Sequence, residues 1–200
     1  MKLQKKAYID YWRQRMAKGP LQAGTEEQAE EIWKKIKGQF EGIDPHAILE
    51  FGCGYGRMTK RLRRVFPDAH ITCQDLSQDA VDAVDALGLD NVKTICGHKM
   101  LVPVTPVDLI FTCQVLQHVT DDDIFNKIMK GFEKALAAGG TILLFENCHE
   151  TEADHMSDRP AESYVAALQA AGLEAATIGD MVLNGQTHCF IIGRKAGNGE

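Results

Sequence analysis

The residues of this 200-residue chain that could do chemistry begin where an apolar run ends. Ile48-Leu49-Glu50-Phe51-Gly52-Cys53-Gly54-Tyr55-Gly56-Arg57 reads as a buried strand running into a glycine-rich turn that opens a helix. Gly52, Gly54 and Gly56 stand at alternate positions. The backbone can therefore turn tightly, with no Cβ between it and a ligand lying across the turn. A dinucleotide turn needs G-x-G-x-x-G/A. Counted from Gly52 and Gly54, the third small residue falls at position 57, where the chain has Arg57. A nicotinamide dinucleotide is thus a poor fit.

Further candidates follow the next apolar runs. Asp75, in Gln74-Asp75-Leu76-Ser77, lies ~20 residues past the turn, where a carboxylate can accept from both hydroxyls of a ribose. The bland alternative is an acid at a helix N-terminus. Cys96-Gly97-His98-Lys99 offers the main chain of Gly97 and His98 to a base. Thr112 to Val119 carries Gln114 and His118. His118 has a side chain suited to general base work, although a lone His at a strand–helix junction is as often structural. Glu146, His149 and His155 sit on a polar stretch, 146–159, expected to be a loop. Metal binding by those three has nothing else in the sequence behind it. The six cysteines are scattered singly with no C-x-x-C pair, so a zinc site is not expected. Free thiols in a reducing cytosol are.

These residues need elements to hold them. Helices are expected over about 2–18, stopped by Gly19-Pro20, and over about 25–40, opened by the capping box Thr25-Glu26-Glu27-Gln28. Strands and helices then alternate. Strand 1 covers about 46–51 and a helix about 56–66. Strand 2 covers about 70–74, and the next helix is N-capped by Ser77. Strand 3 covers about 92–96 and strand 4 Val107–Cys113. A helix starts near Thr120-Asp121-Asp122-Asp123 and is ended by Gly139-Gly140, before strand 5, Thr141–Phe145. A last helix over about 161–171 precedes strand 6, about 173–178, the hairpin signal Asn184-Gly185 and strand 7, Thr187–Arg194. Repeated strand–helix units predict an α/β fold, a mostly parallel sheet with helices on both faces. In such sheets a ligand lies over the C-terminal strand ends where strand order reverses.

Composition narrows the partners. The apolar and charged fractions, 44% and 25%, are those of a globular domain. A net charge of −6 argues against nucleic acid, which needs clustered Lys and Arg. The local run Lys60, Arg61, Arg63, Arg64 reads as a solvated helix face. No stretch approaches the ~20 apolar residues of a membrane span, and Met1 to Lys6 lacks a signal peptide's apolar core. A cytoplasmic protein is expected.

The segment Glu50 to Gly56 resembles motif I, E-x-G-x-G-x-G, of the class I (Rossmann-like) S-adenosylmethionine-dependent methyltransferases. The resemblance spans roughly residues 46–194 and implies a seven-stranded sheet of order 3-2-1-4-5-7-6 with the last strand antiparallel. It makes 1–45 an N-terminal helical cap, 46–195 the cofactor-binding domain and 196–200 a flexible tail. It further implies that Glu50, the three glycines and Arg57 hold the methionine end, that Asp75 and Leu76 flank the ribose, and that Gly97 and His98 lie at adenine. Many members carry an acid where this chain has His98. Gln114 would neighbour the transferring methyl, with His118 and His149 as catalytic candidates. The nucleic-acid motif IV forms, an acidic or Asn residue before Pro-Pro-aromatic and a Pro-Cys, are absent from the chain. The expected substrate is a small molecule. Tyr11-Trp12, Gly56 to Leu62 and His118 to Asp121 are similar to protein N-terminal amine methyltransferases, which keeps a peptide substrate open. A non-catalytic S-adenosylmethionine-binding partner subunit is a third reading. Tyr8, Tyr11, Trp12, Arg13 and Arg15 of the cap could stack on a flat substrate or pair with a carboxylate.

Overall fold

The computed structural model describes residues 5–20, 25–97, 105–150 and 153–197, of which 5–8 are described in backbone only. Seven strands form one sheet in the order β3-β2-β1-β4-β5-β7-β6. The chain divides into two compact units, residues 9–98 and residues 99–200 together with 1–8.

In the first unit, β1 (Ala47–Phe51), β2 (His70–Asp75) and β3 (Val92–Cys96) pair in parallel, Ala47 beside His70 and Ile71 beside Val92. Ile48, Leu49, Ile71 and Cys73 are buried almost completely. Cys96, in β3 at the edge of the sheet, is exposed. Helix α2 (Glu26–Ile36) starts with the expected capping box, Thr25 and Gln28 each accepting the other's backbone N–H. Its apolar stripe, Ala29, Ile32, Trp33 and Ile36, is buried. Helix α3 (Arg57–Val65) is the basic segment, and its charges are only partly solvated. Arg61 is 7% exposed and bridges Glu26 and Glu30 of α2, each at 3.1 Å. Helix α4 (Gln78–Asp85) is N-capped by Ser77 in position only: the Ser77 hydroxyl makes no cap bond. Instead the Ser77 N–H donates to Asp75 at 3.0 Å.

In the second unit, β4 (Val107–Cys113) and β5 (Leu136–Asn147) are parallel, and β7 (Gln186–Arg194) lies antiparallel to both β5 and β6 (Glu174–Leu183). The core is aromatic and aliphatic: Phe111, Phe132, Phe145, Leu144 and Tyr164 are fully buried. Helix α5 (Asp122–Ala135) is capped by Asp121, which accepts the Ile124 N–H at 3.0 Å. Gly139-Gly140 do not terminate it. The helix stops at Ala135, and both glycines lie inside β5. At Gly140 a Cβ would sit 2.9 Å from the Ala137 carbonyl, so the strand runs there only without a side chain. β6 is longer than expected and runs into Asn184-Gly185, both with positive φ (53° and 76°), as a two-residue type I′ turn requires. Helix α6 is Ala161–Ala170. No helix among the described residues is long and apolar enough to cross a membrane. Most of the expected 196–200 tail lies outside the described residues.

Candidate functional site

The glycine turn of the first unit is built on positive φ: 77° at Gly52, 52° at Gly54 and 76° at Gly56. Gly52 and Cys53 both donate to the Gln74 carbonyl, at 2.7 and 3.1 Å, so β2 fixes the start of the turn. The Gly54 N–H donates to Asp75 Oδ2 at 2.9 Å. Gly56 is the N-cap of α3 in the left-handed conformation. A Cβ at Gly56 would lie 2.7 Å from Leu87 Cδ1 and 3.2 Å from Val84 Cγ2. Leu87 is 37% exposed and can swing away, so the backbone cost decides. A left-handed L-residue costs ~1–2 kcal/mol, and a domain of this size loses ~2–4 °C per kcal/mol. Gly56→Ala is expected to lower the melting temperature by about 5 °C; an unchanged melting curve would contradict the left-handed cap.

Asp75 ends β2, and its carboxylate ties the turn to the next helix through Gly54 and Ser77. Burial raises its pKa above the usual carboxylate range, while the N–H donors of Ser77, Gly54 and Leu76 pull the other way. A carboxylate has about four acceptor positions, and the Gly54, Ser77 and Leu76 N–H groups do not fill them all. Beside it, the Ser77 hydroxyl is buried without a hydrogen-bond partner among the described residues. Gly97 donates to the Asp75 carbonyl at 2.8 Å, and among the described residues a Cβ at Gly97 would meet nothing within 4 Å. An unfilled acceptor position, an orphaned hydroxyl and an uncrowded glycine fit a nucleoside at this strand end. The Leu76 carbonyl is taken by Arg13, at 3.2 Å. His98 lies outside the described residues.

Glu50 and Arg57 turn away from the glycine backbone. Glu50 is 3% exposed and accepts from Thr59 Oγ1 at 2.6 Å and from Cys73 Sγ at 3.5 Å. Burial pushes its carboxyl up to about 7. Arg57 donates to the Thr25 carbonyl at 2.9 Å. The Tyr55 hydroxyl donates to the Met16 carbonyl, so the end of the helix α1 (Lys5–Met16) is tied to the turn. Arg15 is engaged within its own helix, bonding Tyr11 at 2.9 Å and lying 5.5 Å over the Trp12 ring. The side chain of Tyr8 lies outside the described residues.

The second unit holds Gln114 and His118 on the segment after β4. Gln114 has a left-handed φ of 59°, sparsely populated for a residue with a side chain. A buried anion holds the segment in that shape. Glu146 was expected at the start of the polar loop, yet it lies inside β5 with no exposure. Its carboxylate accepts from Thr112 Oγ1 at 2.6 Å, from the Val115 N–H at 2.9 Å and from the Gln117 N–H at 3.2 Å. Successive N–H groups after a left-handed residue form an anion-binding concavity, and Glu146 fills it. Burial lifts its carboxyl to about 7 against those donors. Buried and bonded to three donors of this segment, Glu146 holds the segment's shape rather than lying on an open loop.

The loop after β5 completes the clamp. Asn147 donates from its backbone to Gln117 Oε1 at 2.6 Å, and Ser157 donates to the Gln117 and Val119 carbonyls at 2.8 and 3.1 Å. Arg159, 6% exposed, donates to the Val119 carbonyl and to Asp122, each at 2.6 Å. His118 stacks on His155 with centroids 5.7 Å apart. Its Nδ1 faces the His155 carbonyl at 3.2 Å and its Nε2 faces the Gln117 amide at 3.3 Å. A carbonyl only accepts, so Nδ1 carries a proton. His149, paired with His118 in the sequence reading, is exposed, with no side-chain partner among the described residues. Its backbone N–H donates to Asn147 Oδ1 at 2.7 Å. His155 is the histidine that the fold brings to His118.

Residues 49–142 match a family described as "Methyltransferase domain". A malonyl-[acyl-carrier protein] O-methyltransferase of Bacillus cereus is 25% identical over 120 residues, which is 58% of this chain and 43% of that protein. Its counterpart from Priestia megaterium is 46% identical over 52 residues, 26% of this chain and 19% of that protein. These matches span less than half the length of either curated relative. Among solved structures, the DhpI–SAH complex superposes with a TM-score of 0.75 at 19% identity, covering 96% of each chain, a likeness of fold.

Proposed function

We propose that this chain, whose residues 49–142 match the methyltransferase-domain family and whose sheet has the order β3-β2-β1-β4-β5-β7-β6, binds S-adenosylmethionine and transfers its methyl group to an oxygen or nitrogen atom of a small molecule. The observation that carries the reading is the Asp75 carboxylate, anchored by Gly54 and Ser77 with an acceptor position to spare. Asp75 would hold the ribose hydroxyls, with the glycine turn at the methionine end and Gly97 at the base. S-adenosylmethionine supplies a methyl already activated by the sulfonium charge. The protein then has to align the acceptor and exclude water. His118, its Nδ1 facing the His155 carbonyl and its Nε2 facing the Gln117 amide, would take a proton from an acceptor that arrives protonated only by exchanging the Gln117 contact for it.

Isothermal titration of the purified chain with S-adenosylmethionine and S-adenosylhomocysteine is the first test. Both are expected to bind with micromolar dissociation constants, and binding of neither would end the reading. Radiolabel transfer from S-adenosylmethionine then separates catalysis from a non-catalytic partner role. Label is expected in a desalted metabolite extract. Label in peptides alone would move the substrate to a protein amine, and cofactor binding with no transfer would assign the non-catalytic role.

A further inference from the structure

His188 lies in β7 beside Asn147 of β5, is 2% exposed, and does no work in the reading above. Its ring stacks on Phe145 with centroids 5.2 Å apart. Its Nδ1 faces the Gln186 carbonyl at 3.1 Å, and its Nε2 faces Gln114 Nε2 at 3.1 Å. The hydrogens follow from what each atom can do. The Gln186 carbonyl only accepts, so Nδ1 is the protonated nitrogen. Burial disfavours the charged ring, so Nε2 is bare and only accepts. The Gln114 amide must then present its NH2 to the ring. Its oxygen Oε1 is turned away and has no hydrogen-bond partner among the described residues. The left-handed backbone at Gln114 and the Glu146 clamp fix where that amide starts.

We propose that His188 is a positioning residue which locks the Gln114 amide with Oε1 outward, so that this side chain selects a ligand group able to donate a hydrogen bond, an ammonium, amide N–H or hydroxyl, over a carboxylate. The inference rests on the methyltransferase reading for the identity of the ligand. In that reading two groups carry such donors: the α-ammonium of the cofactor and the methyl acceptor itself. A carboxylate acceptor would bring two lone-pair oxygens against Oε1 and be repelled.

Nitrogen-15 spectra of the histidine rings test the geometry without any ligand. His188 is expected to show protonated Nδ1 and bare Nε2. The opposite tautomer would force the amide to present its oxygen to the ring, and would overturn the proposal. His188→Phe keeps the stack on Phe145 and frees the amide. If the donor is the cofactor ammonium, this variant binds S-adenosylhomocysteine about 10-fold more weakly and 5′-methylthioadenosine, which lacks the amino acid, unchanged. If the donor is the acceptor, both affinities hold while kcat/KM for label transfer to the extract falls about 10-fold, chiefly through KM. The label is then in base-stable ethers or N-methyl groups. Either pattern supports the role. No change in binding or transfer overturns it, as does unaltered cofactor binding with label released by mild base as methanol, the mark of a methyl ester. A wild-type chain that binds no cofactor defeats the methyltransferase reading instead, and the ring spectra still decide the His188–Gln114 geometry.

Discussion

Glu146→Ala is expected to lower the melting temperature by about 10 °C. The substitution strands the Thr112 hydroxyl and the N–H groups of Val115 and Gln117, all of which donate to the carboxylate inside the protein. Hydrogen bonds to a charged group are worth ~1.5–3 kcal/mol each, and unsatisfied buried donors cost the same order. Burial of the charge offsets part of this, leaving ~3–5 kcal/mol, at ~2–4 °C per kcal/mol for a chain of this size. Glu146→Gln costs less. Its carbonyl still takes the two N–H groups, and its NH2 can donate to the Thr112 oxygen. The pH dependence separates the two effects. Glu146 has its pKa raised from 4.5 to about 7 in the folded protein. The folded state therefore holds the proton more tightly than the unfolded one. The stability this contributes is full below pH 4.5 and is lost as pH rises through about 7. At 1.36 kcal/mol per pH unit the loss is about 3 kcal/mol. Glu50, also raised to about 7, has the same sign. Denaturant unfolding at a series of pH values should show wild-type stability declining across that window. Glu146→Gln should decline less, so that its deficit against wild type is smaller at pH 8 than at pH 5. Parallel curves would show that Glu146 does not titrate as its burial requires.

The same carboxylate shows where the sequence stops being readable. The strand after α5 was expected to end at Phe145 because Glu146-Asn147-Cys148-His149-Glu150 is polar, and polarity after an apolar run ordinarily means solvent. What allows a charged residue inside β5 is a set of N–H donors about thirty positions earlier. No local pattern encodes that pairing. His188 is hidden for a similar reason, since its partner Gln114 lies 74 residues away. The only hint was a polar residue in the otherwise apolar run His188-Cys189-Phe190-Ile191-Ile192. Between His149 and His155, spacing could not decide which one faces His118. That choice is made by Ser157 and Arg159, which pin the loop to the Gln117 and Val119 carbonyls. By contrast, the sheet order and the glycine turn were legible. The turn depends on residues adjacent in sequence, and the order on alternating strand and helix periods together with the motif I resemblance. The place of Asp75 was legible for the same local reason: it is the residue at the end of β2, whatever follows.

Asp75→Ala should weaken S-adenosylhomocysteine by about 100-fold in isothermal titration. A ribose places two hydroxyls where one carboxylate can accept both. Losing two charge-assisted bonds of ~1.5 kcal/mol each removes about 3 kcal/mol, which is about two decades of affinity. A second effect acts in the same direction. Without the carboxylate, the Gly54 and Ser77 N–H groups lose their acceptor, and the turn is freer before the ligand arrives. The two contributions can be separated. 5′-Methylthioadenosine keeps the ribose and should lose the same factor as S-adenosylhomocysteine, because the deleted contact is common to both. Adenine lacks the ribose and reports only on the loosened turn, so its loss should be no more than a few-fold. Asp75→Asn distinguishes charge from shape. It keeps one acceptor oxygen, but must set its NH2 against one of the two backbone N–H donors, so it is expected to bind nearly as poorly as Asp75→Ala. Stability should move far less than affinity. Burial already raises the Asp75 pKa, and removing a desolvated charge returns part of what its lost hydrogen bonds cost. If Asp75→Ala binds S-adenosylhomocysteine within three-fold of wild type, Asp75 only shapes the turn, and the ribose must be held elsewhere. If adenine loses as much as the nucleosides, the effect is the turn's collapse rather than a missing contact.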